Sequence, residues 1–181
     1  MGIVALLIAS ISTTSLASPY ENLGNYRYNP YVQAFLDAIA FAEGTAHAQG
    51  YRMQYPGVMF ADFDDHPRTI NCALYKGKLL CATAAGRYMF LRRTWDRLAP
   101  KIRAYDFGPL NQDRAAIALL RENKALDDIM AGRFEEAVKK LNKVWATLPG
   151  APYGQSTKTM QELKAIFMQR VKHHQSLLLQ L

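Results

Sequence analysis

An acidic residue interrupts an apolar pattern near the start of the chain. In the stretch "AFAEGTAHAQG", which begins at Ala40, Glu43 stands immediately before a glycine. Apolar residues recur before it at helical spacing, namely Val32, Phe35, Leu36, Ile39 and Ala40. At about 100° per residue, Glu43 projects within roughly 20° of Val32. We therefore expect Glu43 on the packed face of this helix, at its last turn.

A carboxyl group in that position has the properties of a general acid. Partial burial raises the pKa of a carboxyl group, and the negative C-terminal end of the helix dipole disfavours its ionised form. Both effects favour an acid that keeps its proton near neutral pH, which general acid catalysis requires. The alternative is a Glu43 side chain that turns to water at the helix end.

The helix that positions Glu43 has clear boundary signals. Asn29 is a typical N-cap and Pro30 a typical first residue. Gly44 is suited to the position just after the helix end. The sequence therefore predicts one helix from Pro30 to the residue before Gly44.

A small β region follows over residues 50–82. In "NCALYKGKLLCAT", a turn at Lys76-Gly77 places Cys72 opposite Cys81 as a non-hydrogen-bonded pair, whose Cα atoms lie about 4.5 Å apart. That spacing is compatible with a disulfide bond. Two alternatives stay open: a pair of reduced core cysteines, and a bulged turn of different register, since Lys is a poor first residue for a type I′ turn.

The rest of the chain has mainly helical patterns. One helix is predicted from Gly86 to Pro100, two more on either side of Gly132, and a last one over 159–181. Trp95 and Trp145 fall on apolar helix faces, so we assign both to the core. The predicted fold class is α+β, mainly helical with one small sheet region.

Composition indicates a basic protein with one main domain. The chain has 181 residues and a net charge of +7, with half of its residues apolar, so long disorder is excluded. A basic surface favours nucleic acid, an anionic membrane or an acidic wall polymer. The segment 90–103 carries five basic residues that can attract a wall or membrane or form a solvated helix face: Arg92, Arg93, Arg97, Lys101 and Arg103.

The N-terminal segment has features of a targeting sequence. Residues 3–11 are apolar, and a small-x-small pattern ends at Ala17, although no basic residue precedes the apolar run. This run is far shorter than the roughly 20 residues of a membrane span. We predict an export signal or membrane tether at 1–17 and a linker at 18–29, and hence a periplasmic or extracellular protein.

No metal or cofactor motif is recognisable. The spacing of His47, His66, His173 and His174 does not suit zinc. The stretch "DFDDHPR" lacks the glycine of a calcium loop, and no phosphate-binding loop or nucleophile elbow is present. We expect no cofactor and no bound metal.

Five stretches of the sequence resemble a known family. They are "FLDAIAFAEGT" (35–45), "FADFDDHPR" (60–68), "ATAAGRYMFLRRTWD" (82–96), "FGPLNQDRAAIALL" (107–120) and "ATLPGAPYGQ" (146–155). In order and spacing they resemble the lambda-type endolysins, lytic transglycosylases of the lysozyme superfamily. The resemblance implies a lysozyme-like catalytic domain over 30–181, with the hairpin region beside the active-site cleft.

The resemblance also implies roles for particular residues. It places the catalytic acid in "EGT", at Glu43, and the "DHPR" and "GRY" segments beside the sugar cleft. The candidate substrate-binding residues are Thr45, Asp62, Asp65, Arg87, Tyr88, Tyr153 and Gln155. The alternatives are turn capping for the aspartates, a surface Arg and a core Tyr for the "GRY" pair, and ordinary loop structure for the last two. Met89 replaces a Gln usual in the family, and Pro152 a frequent Gly.

The implied reaction is cleavage of the β-1,4 bond between N-acetylmuramic acid and N-acetylglucosamine in peptidoglycan. In a transglycosylase the muramic acid C6 hydroxyl attacks, so a single carboxyl group suffices. Two other functions stay open. One is a lysozyme-type hydrolase with a second carboxylate, and the other a noncatalytic protein that binds the wall or disrupts membranes. The expected partners are glycan strands and anionic surfaces rather than nucleic acid, and the expected state is a monomer.

Overall fold

The described part of the protein is mainly helical with two small antiparallel sheets, which confirms the predicted α+β class. A computed structural model describes residues 20–155 and 157–180 of the chain. The helices in this part are α1 (Leu23–Tyr26), α2 (Pro30–Ala42), α3 (Arg92–Leu98), α4 (Pro109–Glu122), α5 (Leu126–Met130), α6 (Phe134–Leu141) and α7 (Met160–Leu178). Antiparallel pairs are formed by β1 (Met53–Gln54) with β2 (Val58–Met59) and by β3 (Asn71–Tyr75) with β4 (Lys78–Ala82).

Helix α2 begins and ends where the sequence predicts. The Asn29 side chain accepts hydrogen bonds from the backbone N–H groups of Tyr31 and Val32. At the other end Gly44 has φ +74°, in the left-handed region that glycine adopts without strain. Eight of the 13 residues of α2 are buried, so this helix forms the centre against which the site is built.

Aromatic residues join α2 to the C-terminal helices. The ring centroids of Phe35 and Phe134 lie 5.5 Å apart, and those of Phe134 and Phe167 lie 4.9 Å apart. Helix α7 therefore packs along α2 through Phe167. Trp95 and Trp145 are both buried, which confirms their assignment to the core.

The hairpin β3–β4 has the predicted register. Cys72 faces Cys81, and the two form a disulfide with a Cα–Cα distance of 4.0 Å. Lys76 and Gly77 have φ of +48° and +75°. Both turn residues are thus left-handed, as a two-residue type I′ turn demands, and the alternatives of a bulged turn and reduced cysteines were wrong.

The segment before α2 differs from the predicted linker. Residues 23–26 form α1, which lies against α4, and Leu23 is buried in the core. Leu23 contributes to this difference, because full burial of one large apolar side chain stabilises the docked segment by about 1.5–3 kcal/mol. The predicted export signal or tether at 1–17 lies outside the described residues.

Two helix predictions were wrong in their boundaries. The helix predicted from Gly86 begins at Arg92, because Gly86 and Met89 have positive φ and the segment between them forms turns. Three helices rather than two occupy the region around Gly132, because Lys124 has φ +56° and separates α4 from α5. Within the described part of the chain, no helix is long and apolar enough to cross a membrane.

Candidate active site

Glu43 is the C-cap residue of α2 and is partly buried. Its Oε1 accepts a hydrogen bond of 2.6 Å from the hydroxyl of Thr147. Burial raises the pKa of Glu43 to about 7, and the hydrogen bond from Thr147 opposes this rise. The raised pKa and the partial burial agree with the expected position of Glu43 on the packed face of the helix. They disagree with the alternative, in which the side chain turns to bulk water.

The turn after Glu43 is held by its own backbone. The N–H groups of Gly44 and Thr45 donate to the carbonyls of Phe41 and Ala40, at 3.2 and 2.8 Å, the paired bonds of a Schellman motif. This motif leaves Glu43 as the last residue with helical geometry. The carboxyl group is therefore carried by a closed turn and not by a frayed end.

Thr45 lies beneath this turn with no exposed surface. Its hydroxyl lies 2.5 Å from the carbonyl oxygen of Arg87 and 3.1 Å from that of Ala40, and its one proton can be donated to one of them at a time. What the structure shows for Thr45 is a link between the end of α2 and the "GRY" segment. Contact between Thr45 and substrate stays a prediction.

Arg87 is nearly buried and points into the protein. Its guanidinium donates to Asp37 Oδ1 at 2.9 Å and to the Thr45 carbonyl at 3.2 Å. Its carbon Cζ lies 5.2 Å from the ring centroid of Tyr51, a cation–π distance. The Arg87 side chain thus supports the turn from below, and contact with sugar stays a prediction.

Asp37 gathers two arginine side chains and one histidine side chain from two regions of the fold. Besides Arg87 of the "GRY" segment, it accepts hydrogen bonds from Arg170 Nε at 2.6 Å and His174 Nε2 at 2.8 Å, both on α7. Burial acts to raise the pKa of Asp37, but the hydrogen bonds from His174 and Arg170 and the charges of Arg170 and Arg87 outweigh it and lower the pKa. Sequence patterns give no sign of this cluster, because only the fold brings α7 against α2.

Tyr88 is a core residue, which was the alternative to a substrate-binding role. Its hydroxyl donates to Asp113 Oδ1 at 2.7 Å, and Tyr51 donates to the same oxygen at 2.8 Å. Burial, followed by the charge of Asp113, raises the pKa of the Tyr88 hydroxyl. The Tyr88 carbonyl accepts a hydrogen bond from Trp145 Nε1 at 2.9 Å, which joins the segment to the loop that carries Thr147.

The acidic stretch forms a separate cluster. Asp65 accepts hydrogen bonds from Arg68 Nε at 3.0 Å and Trp95 Nε1 at 3.2 Å, and Asp62 accepts one from the Asp64 N–H at 3.1 Å. Burial acts to raise the pKa of Asp65, but the bonds from Arg68 and His66 and the charge of Arg68 lower it. Both aspartates thus have partners typical of turn residues, and their contact with sugar stays a prediction.

Tyr153 and Gln155 lie exposed in the loop before α7. The Tyr153 hydroxyl donates to the Lys143 carbonyl at 2.7 Å, and Gln155 is exposed. Of the predicted site residues, the structure therefore joins Glu43, Thr45, Arg87 and Tyr88 in one hydrogen-bonded neighbourhood. It places the aspartates and the two loop residues outside that network.

Two surface depressions among the described residues do not include the candidate acid. One cavity of about 400 Å³ is lined by Asp65, Arg68, Trp95 and Asp96 among others, and one of about 230 Å³ lies between Tyr28 and the end of α7. Glu43 lines neither of these two. We place the site by the chemistry of Glu43, because Asp65 and Asp96 of the larger depression are both paired with Arg68. In the described residues, no group of His, Cys, Asp and Glu side chains is arranged to hold a metal.

The basic segment 90–103 is only partly free for partners. Arg92 and Arg93 are exposed at the start of α3. Arg97 pairs with Glu122 at 2.7 Å, and Lys101 lies 3.8 Å from the same carboxylate. Attraction of this segment to an anionic surface stays a prediction.

The site is therefore a largely buried helix that ends in a glutamate of raised pKa, in a fold with two small antiparallel sheets. The family model described as "Endolysin" matches residues 33–173. The chain therefore belongs to the endolysin family of enzymes, which degrade bacterial cell walls.

Relatives and solved structures agree with this membership. The chain is 39% identical over 150 residues to the endolysin of Escherichia phage P2, covering 75% of this chain and 90% of the relative. It is 37% identical over 141 residues to the endolysin of Escherichia phage lambda, covering 75% and 87%. A structure of bacteriophage lambda lysozyme complexed with a chitohexasaccharide superposes with a TM-score of 0.73 at 35% identity, covering 78% of this chain and 94% of that one. The lysozyme-like fold is thereby confirmed.

Proposed function

We propose that this endolysin is a peptidoglycan lytic transglycosylase with Glu43 as its only acid and base. Its substrate is the glycan strand, cleaved at the β-1,4 bond between N-acetylmuramic acid and N-acetylglucosamine. The observation that carries the proposal is the partly buried Glu43, whose pKa of about 7 keeps a proton available near neutral pH. The lambda lysozyme relative with a bound chitohexasaccharide supports a glycan ligand.

The reaction balances with one carboxyl group. Glu43 donates its proton to the bridging oxygen as the bond from that oxygen to muramic acid C1 breaks. The C6 hydroxyl oxygen of the same sugar then bonds to C1, and its proton passes to the Glu43 carboxylate. The product is a 1,6-anhydromuramic end, and Glu43 is again protonated. Because the nucleophile belongs to the ring, proximity replaces the activation of water.

The partners of Asp37 and Asp65 favour this mechanism over hydrolysis. A hydrolase needs a second carboxylate about 5–9.5 Å from the acid that is free to act on water or on C1. Asp37 is engaged by Arg87, Arg170 and His174, and Asp65 by Arg68 and Trp95. Neither of these two carboxylates is free in that sense. Asp62 and Asp64 are exposed, and they are the carboxylates left for a muramidase, which is the second candidate.

The test is a product analysis with Glu43→Gln as the variant. Purified wall is digested and the fragments are weighed by mass spectrometry. We expect 1,6-anhydromuramic ends from the wild type, and a drop in lytic rate of at least about 10²-fold in a folded Glu43→Gln variant. Reducing ends that take up labelled water oxygen would instead support the muramidase. An active Glu43→Gln variant would show that Glu43 is not the catalytic acid. Wall binding without released fragments would indicate a noncatalytic protein.

Access to the wall requires export, for which the segment 1–17 is our candidate. Export places the enzyme in the periplasm or outside the cell, and an oxidising compartment also suits the disulfide between Cys72 and Cys81. N-terminal sequencing of the secreted protein checks whether the chain is cut after Ala17.

A further inference from the structure

Thr147 is the one side chain that the described residues offer to the Glu43 carboxyl group. Its hydroxyl oxygen lies 2.6 Å from Glu43 Oε1, although 104 positions separate the two residues in the chain. Oε2 makes no hydrogen bond to any residue in the described part of the chain. The two carboxyl oxygens are therefore not equivalent, and this difference needs an explanation.

The loop that carries Thr147 is anchored on both sides. Trp145 and Leu148 are buried in the core, and the Trp145 indole donates to the Tyr88 carbonyl. The Thr147 carbonyl accepts a hydrogen bond from the Lys158 N–H at 3.3 Å. The backbone that carries the Thr147 hydroxyl is therefore held in place relative to Glu43, unlike the backbone of a flexible surface loop.

A hydroxyl group has one proton to donate. An ionised carboxylate oxygen can only accept, so the Thr147 hydroxyl donates its one proton to Oε1 when Glu43 is charged. A proton that binds the carboxyl group while this bond is kept is then carried by Oε2. We propose that Thr147 is the positioning residue of Glu43, which fixes the orientation of the carboxyl group and makes Oε2 the oxygen that transfers the proton. This inference rests on the proposed function and assigns to Thr147 a role in it.

The same bond favours the charged state that follows proton donation. When Glu43 ionises, the neutral hydrogen bond from Thr147 becomes charge-assisted, and such bonds are roughly twice as strong. This agrees with the opposing effects on the pKa of Glu43, where burial raises it and the Thr147 bond lowers it. The Thr147 hydrogen bond therefore lowers the free energy that Glu43 needs to release its proton, which burial raises.

The experiment compares two substitutions at this position. Thr147→Val keeps the shape and removes the hydroxyl, whereas Thr147→Ser keeps the hydroxyl. The lytic rate on purified wall is measured from pH 5 to pH 9, with Thr69→Val as a matched control. Thr69 is exposed, and among the described residues its hydroxyl bonds only to the Pro67 carbonyl.

We expect the Thr147→Val rate to fall about 10-fold at its optimum, and its alkaline limb to move to higher pH. Thr147→Ser is expected to restore both within about twofold, and Thr69→Val to match the wild type. A ¹³C NMR titration of the Glu43 carboxyl group measures its pKa independently of activity. We expect a higher pKa of Glu43 in Thr147→Val than in the wild type.

A wild-type rate and titration in Thr147→Val would overturn the inference. So would a Thr147→Ser variant as impaired as Thr147→Val, because that result indicates a packing role. In either case an inactive Glu43→Gln leaves the proposed function intact. An active Glu43→Gln variant, by contrast, would overturn the role of Glu43 in the proposed function itself.

Discussion

At the scale of single residues, the raised pKa of Glu43 links activity to stability. Its ordinary value of 4.5 applies to the unfolded chain, and burial raises it to about 7 in the folded protein. Between these values the folded protein binds the proton and the unfolded chain does not. Stability is therefore greatest below pH 4.5 with respect to this group, and falls as the pH rises toward 7. The acid is kept at the expense of the fold.

We predict that Glu43→Gln makes the protein more stable above neutral pH. Gln stays uncharged and can still accept the Thr147 hydrogen bond. The expected gain reaches up to about 3 kcal/mol at pH 8, the free energy that corresponds to the pKa difference, and disappears at pH 4. Urea denaturation at both pH values measures it. Glu136→Gln on the exposed face of α6 serves as the control, and an equal gain at pH 4 would contradict the explanation.

Sequence patterns could locate Glu43 but not the residues around it. The helical spacing before Gly44 is a local signal, so one element was enough to place the acid on the packed face. Thr147 and Asp37 belong to other turns of the chain or other faces of the helix, and their roles arise only where α2 meets distant elements. A threonine in a turn-rich stretch gives no local sign of such a contact.

At the scale of elements, the turn at Gly86 holds the supporting segment of the site. Gly86 has φ +78°, and a Cβ there would lie 2.4 Å from Gln112 Oε1. Gln112 is fully buried, and it accepts from the Arg87 N–H and donates to the Tyr51 and Phe107 carbonyls. A side chain at Gly86 would therefore displace a hydrogen-bond network as well as strain the backbone.

We predict that Gly86→Ala destabilises the protein by about 3 kcal/mol or more, because a buried polar group loses partners. Gly154→Ala is the matched control. Gly154 has φ +68° with nothing within 4 Å of its Cβ position, so only backbone strain of about 1 kcal/mol is expected. Equal losses of unfolding free energy in urea would show that the contact with Gln112 does not matter.

The elements also show which patterns are predictive. The N-cap at Asn29, the stop at Gly44 and the register of the Cys72–Cys81 hairpin were all predicted correctly, since each depends on neighbouring residues in the chain. The helix predicted from Gly86 failed because an apolar periodicity also arises in turns that bury alternate side chains. Tyr88 is buried in this way although it lies outside α3.

At the scale of the whole molecule, Asp37 ties the C-terminal helix to the candidate site. Its carboxylate receives Arg170 and His174 from α7 and Arg87 from the segment beneath the Glu43 turn. Only 15% of the Asp37 side chain and 14% of the Arg87 side chain are exposed. Removing the one negative charge would leave Arg87 buried without a counter-charge, which is costly in a protein interior.

We predict that Asp37→Asn lowers the unfolding free energy by about 2–3 kcal/mol at pH 7, a value reduced from that of a fully buried pair because Arg170 is partly exposed. The pKa of Asp37 is lowered in the folded protein. Its stabilising contribution is therefore present above its ordinary value of 3.8 and is lost as the pH falls below that value. The difference in unfolding free energy between variant and wild type should shrink accordingly in acid.

The control is Glu135→Gln, which removes an exposed ion pair between α6 and Lys164 of α7 and is expected to have little effect. If urea denaturation gave the two variants equal losses at pH 7, the Asp37 cluster would be an ordinary surface contact and would not couple α7 to the site.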